Sequence, residues 1–388
     1  MSRYKNCPFN YGVMVSEVSF TNREDDVKKL YENLTQGINT MLISPRRWGK
    51  SSLVERVKEK ILKEEKDTLV MSLDFYKVSS QDEFLSMFAK EVIKSSSNKW
   101  NDWVKVAKDL LSQLKVQVKV DVSAKVDINI QFDKTDLIEQ QEVILNLPQA
   151  IAEKKGKKFI ICLDEFQNLA EFPEFENLEK KMRAVWQRQK DVAYCIYGSK
   201  RQMMRDIFND SSKPFYRFGD IVHLNKIKRE KWVEFILNRF EITGKKIDEK
   251  YAKLIPELMD DHSWYVQQLS HYTWQKTHKT VDAEILKSAL DEVVNANTPL
   301  YQKEIEVIST TQFNMIKAVI SGETQLSAAS VLQKYELGTS ANVVKNKRIL
   351  MAQDVFDKFE DRYMMLDPVF TLWFKKIFFD EEYLELID

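Results

Sequence analysis

The sequence predicts an α/β fold in which a parallel sheet is covered by helices on both faces. Strand-like apolar segments alternate with amphipathic helical segments over residues 41–198, which is typical of a sheet built from βα units. Residues 159–163 are continuously apolar, as expected for a strand that is buried on both faces. The chain has only 9 glycines and 8 prolines, while 30% of its residues are charged, which favours an ordered, helix-rich protein.

The predicted elements follow one another in regular order. After a short helix over 24–34, the strands and helices of the sheet are predicted at 41–44, 50–64, 68–76, 81–95, 137–154, 158–164, 176–190 and 192–198. A last strand follows Pro214. Valines that alternate with polar residues predict an inserted β-hairpin at about 115–133. Its apolar face would be covered by a helix over 102–114 or by a partner.

A phosphate-binding loop is predicted between the first strand and the helix that follows it. Residues 44–53 read Ser-Pro-Arg-Arg-Trp-Gly-Lys-Ser-Ser-Leu, and backbone N–H groups at such a helix N-terminus can cradle phosphates. Lys50 is expected to reach the β- and γ-phosphates, and the Ser51 hydroxyl to ligate Mg²⁺. Ser44 stands where the usual pattern has glycine. The alternative is a basic turn without a ligand.

Two acids and a serine are expected at the same edge of the sheet. Asp164 and Glu165 directly follow the buried strand. In phosphate-loop ATPases the first such acid holds the Mg²⁺ shell, and the second polarises the attacking water. Ser199 follows the strand over 192–198, and open α/β sheets bind ligands where their strands end. It is a candidate γ-phosphate sensor, with an ordinary helix N-cap as the alternative.

These motifs resemble those of the prokaryotic archaeal-type ATPases, which belong to the STAND branch of the AAA+ superfamily of P-loop NTPases. The resemblance rests on the loop at 44–53, on Leu-Asp-Glu-Phe-Gln at 163–167 and on Tyr-Gly-Ser-Lys-Arg-Gln-Met-Met at 197–204. An early Phe-x-x-Arg-Glu box that contains Arg23 resembles the box that lies beside the adenine in this family. The resemblance implies ATP and Mg²⁺ as cofactors and a slow ATPase activity.

The candidate site residues fall into three groups. The expected catalytic residues are Glu165, Lys50, Ser199 and Arg217. The expected nucleotide-binding residues are Arg23, Ser44, Pro45, Arg46, Arg47, Trp48, Gly49, Lys50, Ser51, Ser52 and His262. The expected Mg²⁺ ligands are Ser51 and Asp164. Arg217 is either an arginine directed at phosphate or a surface residue, and His262 is either a sensor in the lid or a helix cap or core residue.

Three domains are expected: a nucleotide-binding domain over 1–225, a helical lid over 226–300 and a winged-helix-like domain over 301–388. The lid helices are predicted at 229–243, 248–259, 263–277 and 282–295. The C-terminal domain is predicted to contain helices at 310–321, 327–335 and 339–353 and strands at 355–359 and 363–366. The very apolar segment 372–379 is expected to pack back on the chain or to contact a partner.

The charge and cysteine content indicate which cellular compartment and which classes of partner to expect. Lys+Arg and Asp+Glu both number 59, so the zero net charge gives no bulk attraction to nucleic acid or acidic membranes. The chain has three cysteines and no apolar stretch long enough to span a membrane. Both observations favour a reducing, cytoplasmic location.

The leading hypothesis is a Mg²⁺-dependent ATPase switch that couples its nucleotide state to the C-terminal module. Its partner would be another protein, or a second copy of the chain, bound through that module or the hairpin. The alternative is an ATP-gated DNA-binding regulator of a mobile-element or defence type. The basic residues Lys345, Lys347 and Arg348 favour DNA binding. The acidic residues of the predicted wing oppose it; they are Asp354, Asp357, Glu360 and Asp361.

Overall fold

The computed structural model describes residues 7–12, 23–96, 141–359 and 361–387. The chain divides into two compact units. The sheet unit comprises Glu24–Ser44 and Lys50–Leu224, and the helical unit comprises Met1–Arg23, Pro45–Gly49 and Asn225–Asp388. The hairpin predicted at about 115–133 and the helix predicted over 102–114 lie outside the described residues. The three-domain division of the chain stays a prediction.

A five-stranded parallel sheet forms the centre of the sheet unit. Its strands are β1 (Thr40–Ile43), β2 (Thr68–Asp74), β3 (Lys158–Asp164), β4 (Val192–Gly198) and β5 (Asp220–His223). They lie in the order β2-β3-β4-β1-β5, and each neighbouring pair is parallel. The prediction of a parallel α/β sheet is confirmed. Every residue of β1 and β4 is buried, because both faces of such a sheet are covered.

Helices alternate with these strands along the chain. The described ones are α1 (Glu24–Thr35), α2 (Lys50–Glu64), α3 (Gln81–Ser95), α4 (Leu147–Lys155), α5 (Phe175–Trp186) and α6 (Arg201–Phe208). The predicted C-terminal ends of one strand and one helix are wrong. β2 ends before residue 76, because the Asp74 carboxylate accepts a hydrogen bond from the Tyr76 amide and caps a 3-10 turn. The helix predicted to reach residue 190 ends at Trp186.

Large aromatic side chains fill the core beside α5. Trp186 stacks on Tyr194 of β4, with ring centroids 4.2 Å apart. Phe215, in the loop before β5, packs edge-on against Phe166 at 5.6 Å. All four side chains are fully buried. The contacts of Phe215 hold the loop before β5 on the core of the sheet unit.

The helical unit combines the expected lid helices with a winged helix. Its described helices are α7 (Arg229–Ile242), α8 (Glu249–Leu258), α9 (Ser263–Lys276), α10 (Ala283–Glu306), α11 (Thr310–Ile320), α12 (Ala329–Lys334), α13 (Ser340–Ala352) and α14 (Pro368–Phe379). Two antiparallel strands form the wing, β6 (Phe356–Phe359) and β7 (Arg362–Met365). Three helices followed by a strand pair confirm the winged-helix prediction. The apolar segment 372–379 lies within α14.

Helix α10 is longer than predicted. The prediction ends this helix at Asn295, but it continues to Glu306 and contains Pro299. Proline usually breaks a helix. Here Tyr301, beyond the proline, is buried and packs edge-on against Phe370 of α14 at 5.2 Å. The burial of this ring stabilises the continued helix, and the predicted boundary between residues 300 and 301 falls inside it.

Two further predictions concern cysteines and membrane crossing. Cys162 and Cys195 are opposite each other on β3 and β4, and both are free and buried, which is compatible with the reducing environment that the sequence favours. Over the described part of the chain, no helix has both the length and the apolar character needed to cross a membrane.

A buried acid on α5 makes the stability of the sheet unit depend on pH. Glu179 is fully buried. Burial raises its pKa from 4.5 to about 7, although the charge of Lys213 and the backbone amide of Phe215 oppose the rise. The folded chain therefore binds this proton more tightly than the unfolded chain. The contribution of Glu179 to stability decreases as pH rises from about 4.5 to about 7.

We expect Glu179→Gln to remove this pH dependence and to stabilise α5 above pH 7 by roughly 3 kcal/mol at most, because a neutral amide needs no proton. Native-state hydrogen exchange of the α5 amides, compared at about pH 5 and about pH 8, measures the effect. Glu176→Gln is the matched control, since Glu176 is an exposed acid on the same helix that pairs with Lys180. Equal protection of wild type and Glu179→Gln at the higher pH would contradict the prediction.

Candidate functional site

Polar side chains converge at the carboxyl edge of the parallel sheet, where open α/β sheets bind ligands. β1 leads into residues 44–51, the predicted phosphate loop. β3 ends in Asp164, which Glu165 follows, and β4 is followed by Ser199. Because β4 lies between β1 and β3, Ser199 stands between the strand that leads into the loop and the strand that carries the acids. The expected juxtaposition of the serine with the two acids is present.

Asp164 and Ser51 contact each other directly. Ser51 Oγ donates to Oδ2 of Asp164 at 3.2 Å, and the Glu165 amide donates to Oδ1 at 2.8 Å. Burial raises the pKa of Asp164 to about 6, and the charge of Lys50 opposes the rise. A bound cation would stabilise the charged form of such a carboxylate. Mg²⁺ prefers oxygen ligands and usually takes one or two carboxylates together with phosphate oxygens and water, so this pair fits the predicted ion.

Glu165 is held by three side chains. Its Oε1 lies 3.7 Å from Nζ of Lys50, a lysine that is 6% exposed. Its Oε2 accepts hydrogen bonds from the Ser199 hydroxyl at 2.8 Å and from the side-chain amide of Gln167. Burial alone would raise the pKa of Glu165, but Lys50, Gln167 and Ser199 together lower it. Glu165 is therefore an ionised carboxylate at neutral pH and can accept a proton.

Gln167 is the residue of this cluster that the sequence analysis missed. It lies in the 3-10 turn Phe166–Glu171 and is 1% exposed. Its amide occupies the space beside Gly198, where an added Cβ would come within 1.9 Å of Oε1 of Gln167. A larger residue at position 198 would displace the amide. The available signal was a glutamine that closely follows the glutamate in the motif at 163–167.

The backbone of the predicted phosphate loop is braced within the helical unit, to which Pro45–Gly49 belong. Arg23 is 5% exposed and donates to the backbone oxygens of Trp48 at 3.0 Å and of Asn225 at 2.6 Å. Gly49 has a φ of +90°, a conformation that glycine adopts without strain. Arg23 thus fixes the path of the loop, and its contact with a nucleotide stays a prediction.

Two side chains of the loop contact the wing. Trp48 is buried and stacks on Phe359 of β6, with ring centroids 6.1 Å apart and planes inclined by 11°. Nε of Arg46 lies 3.5 Å from Oδ2 of Asp354, just before β6. The sequence predicted nucleotide contacts for these two loop residues and gave no sign of protein partners.

His262 is a neutral buried residue. It is 5% exposed and precedes α9, but its side chain does not cap that helix, and its Nδ1 has no hydrogen-bond partner in the described structure. Burial lowers its pKa to about 3, and the positive charges of Lys226 and Arg47 lower it further. Arg47 itself lies over the ring of Trp264, at 4.7 Å from the centroid. A sensor role for His262 would therefore use a neutral imidazole.

The remaining predicted residues are Ser44, Pro45, Ser52 and Arg217. Ser44 and Pro45 are buried, and Ser52 is half-buried in α2. Arg217 is exposed, has a φ of +53° and lies over the ring of Tyr216 at 5.2 Å. In the part of the chain that the structure describes, no hydrogen bond or ion pair joins its guanidinium to the acids. Its action on phosphate stays a prediction.

Comparisons with known proteins agree with this architecture. Residues 299–376 match a family model described as "Probable winged helix domain". A search of the curated proteins found no significant match. The walker-type ATPase paby2304 of Pyrococcus abyssi superposes with a TM-score of 0.66 at 16% identity, covering 94% of this chain and 98% of that chain.

A second solved structure shows the same arrangement. The Aeropyrum pernix ORC2 protein, in its ADPNP–ADP complexes, superposes with a TM-score of 0.56 at 14% identity. The superposition covers 93% of this chain and 93% of that chain. Its ADP form has a TM-score of 0.51 at 14% identity, with 92% of each chain covered. The chain therefore has the fold of an archaeal-type P-loop ATPase with a winged helix domain at its C-terminus, as the sequence resemblance implied.

Proposed function

We propose that this protein is a Mg²⁺-dependent ATPase that works as a nucleotide switch. The observation that carries the proposal is the cluster of Lys50, Ser51, Asp164 and Glu165 at the carboxyl edge of the sheet. ATP hydrolysis needs a cation for the phosphates, oxygen ligands for the metal and a group that orients water. A buried lysine, a hydroxyl–carboxylate pair and an ionised glutamate meet these three needs.

The two acids divide the chemistry in this proposal. When bound at Ser51 and Asp164, Mg²⁺ supplies positive charge that neutralises the phosphates. Glu165, kept ionised by its neighbours, orients the attacking water and accepts its proton. Lys50 turns from Glu165 toward the β- and γ-phosphates, which leaves Oε1 of the carboxylate available to the water.

We further propose that the loop and the wing couple the nucleotide state to the winged helix. Arg46 and Trp48 lie in the loop just before Lys50, so a nucleotide bound there acts on the same short segment. The stack of Trp48 on Phe359 and the pair of Arg46 with Asp354 support this role. A switch needs a contact whose stability differs between two states, and an aromatic pair contributes about 0.5–1.5 kcal/mol.

DNA binding is the second candidate function. Lys345 and Arg348 of α13 are exposed, on a helix that corresponds to the one that enters the major groove in helix-turn-helix proteins. Against DNA binding, Lys347 donates to the Tyr363 hydroxyl at 3.2 Å, and Phe359 of the wing packs on the loop. A protein partner is therefore preferred. Tight, sequence-selective retention of the full chain on DNA at about 0.15 M salt would reverse that preference.

Lys50→Ala is expected to abolish nucleotide binding, because the site loses the buried cation proposed to contact the phosphates. Calorimetric titration with ATP measures the loss. Lys58→Ala is the matched control, since Lys58 lies on the same helix and pairs with Glu55. Unchanged ATP affinity in Lys50→Ala would contradict the nucleotide site.

Glu165→Gln is expected to bind ATP normally and to hydrolyse it at least ~100-fold more slowly, because an amide cannot accept the proton of the attacking water. A phosphate-release assay at saturating ATP measures the change, and calorimetry checks that binding is retained. Turnover close to that of the wild type would assign Glu165 a structural role.

Phe359→Ala is expected to raise basal turnover about 2- to 10-fold, because the stack that holds the loop in its resting position is lost. The measurement is steady-state phosphate release, with thermal unfolding as a check on the fold. Lys358→Ala, an exposed neighbour on β6, is the matched control. A folded Phe359→Ala protein with wild-type turnover would contradict the coupling.

A further inference from the structure

We propose that Gln167 is a positioning residue that fixes the Glu165 carboxylate, and that Gly198 is needed to admit its amide. The inference deepens the proposed ATPase function and rests on it, because it gives Glu165 its orientation toward water. Gln167 acts through Glu165 and has no assigned contact with nucleotide.

The local backbone brings the two side chains together. Glu165 has a left-handed backbone, with φ of 52° and ψ of 39°, at the start of the 3-10 turn Phe166–Glu171. A positive φ is uncommon for a residue other than glycine, and such strain persists only where the surroundings hold it. In this turn, Nε2 of the buried Gln167 donates to Oε2 of Glu165.

The two carboxylate oxygens of Glu165 have different surroundings. Oε2 accepts from Nε2 of Gln167, from Oγ of Ser199 at 2.8 Å and from the Ser199 amide at 3.3 Å. Oε1 faces Nζ of Lys50. If the Ser199 hydroxyl turns to the γ-phosphate, Gln167 still holds Oε2. The carboxylate then keeps its orientation at the moment when Oε1 must orient the water.

Folding alone does not explain a glutamine at this position. Its Oε1 is buried and has no hydrogen-bond partner among the described residues, which is unfavourable for stability. An apolar side chain of similar size would avoid that loss. The benefit of the amide is therefore its bond to Glu165.

Gly198 provides the room for this amide. A Cβ at position 198 would lie 1.9 Å from Oε1 of Gln167 and 2.8 Å from Sδ of Met204. The thioether of a methionine can move aside. The amide cannot move without breaking its bond to Glu165.

The first experiment is the variant Gln167→Leu in the full chain. We expect kcat to fall about 10-fold or more while the affinity for ATP stays within about twofold, because loss of carboxylate orientation affects the chemical step and not binding. Thermal stability should be unchanged or higher.

Gln149→Leu is the matched control. Gln149 is another buried glutamine of the sheet unit, and its amide donates to Glu153 and Asp191 at 2.8 Å. We expect its loss to lower stability and to change kcat by less than about twofold. An unchanged kcat in a folded Gln167→Leu protein, or a fall in kcat that is matched by a fall in ATP affinity, would overturn the proposal.

A measurement that needs no turnover separates this inference from the proposed function. The ¹³C carboxyl chemical shift of Glu165, assigned through Glu165→Gln and compared at one neutral pH, should differ between Gln167→Leu and wild type, because Oε2 loses a hydrogen-bond donor. A wild-type protein without ATPase activity would refute the proposed function, whereas the chemical shift would still test the hydrogen bond from Gln167 to Glu165. An unchanged chemical shift would overturn the inference even in an active ATPase.

A double-mutant cycle tests the role of Gly198. Gly198→Ala should lower kcat in the wild-type background and add little in a Gln167→Ala background, where the amide no longer occupies the space. Additive losses would show that Gly198 acts independently of Gln167 and would overturn that part of the proposal.

Discussion

The position of β4 between β1 and β3 is the constraint on which the candidate site depends. The register pairs Ile43 with Gly198 and Leu163 with Ile196, so the three strands end close to the same edge. Because β4 occupies the middle, Ser199 can donate to Glu165, and the small Gly198 leaves room for the amide of Gln167. A sheet with β1 directly beside β3 would have neither group there. Segments far apart in sequence are brought together by strand order alone.

Electrostatics then separates two acids that are adjacent in sequence. Burial raises the pKa of Asp164 to about 6, because the Ser51 hydroxyl and one backbone amide do not replace the water that this carboxylate has lost. Glu165 is also partly buried, yet its pKa is lowered by Lys50 and by donors from Gln167 and Ser199. Titratable neighbours whose pKa values are pushed apart commonly have different roles. In the proposed function, Glu165 is the base and Asp164 is the metal ligand.

The sequence predicted what local patterns encode. Apolar runs located the strands, and the motifs located the loop, the two acids and Ser199, because these signals need only short segments. Three features depend on contacts between distant segments and were missed: the continuation of α10, stabilised by the burial of Tyr301, the room that Gly198 makes for Gln167, and the stack of Trp48 on Phe359. Local propensity does not record which side chain lies beside which. The roles of Arg217 and His262 rest on resemblance and stay predictions.

One of the acidic residues of the predicted wing has a partner that the sequence did not indicate. In the sequence these acidic residues only argue against phosphate contacts. In the structure Asp354 forms an ion pair with Arg46 of the loop. With Phe359 also packed on the loop, β6 and the turn before it have a partner within the helical unit. Helix α13 is another face of the same domain, and there Val344 is 57% exposed beside the exposed Lys345. The winged helix therefore contacts the loop through its wing, while the exposed side chains of α13 lie open to solvent. The switch proposed above would need both features.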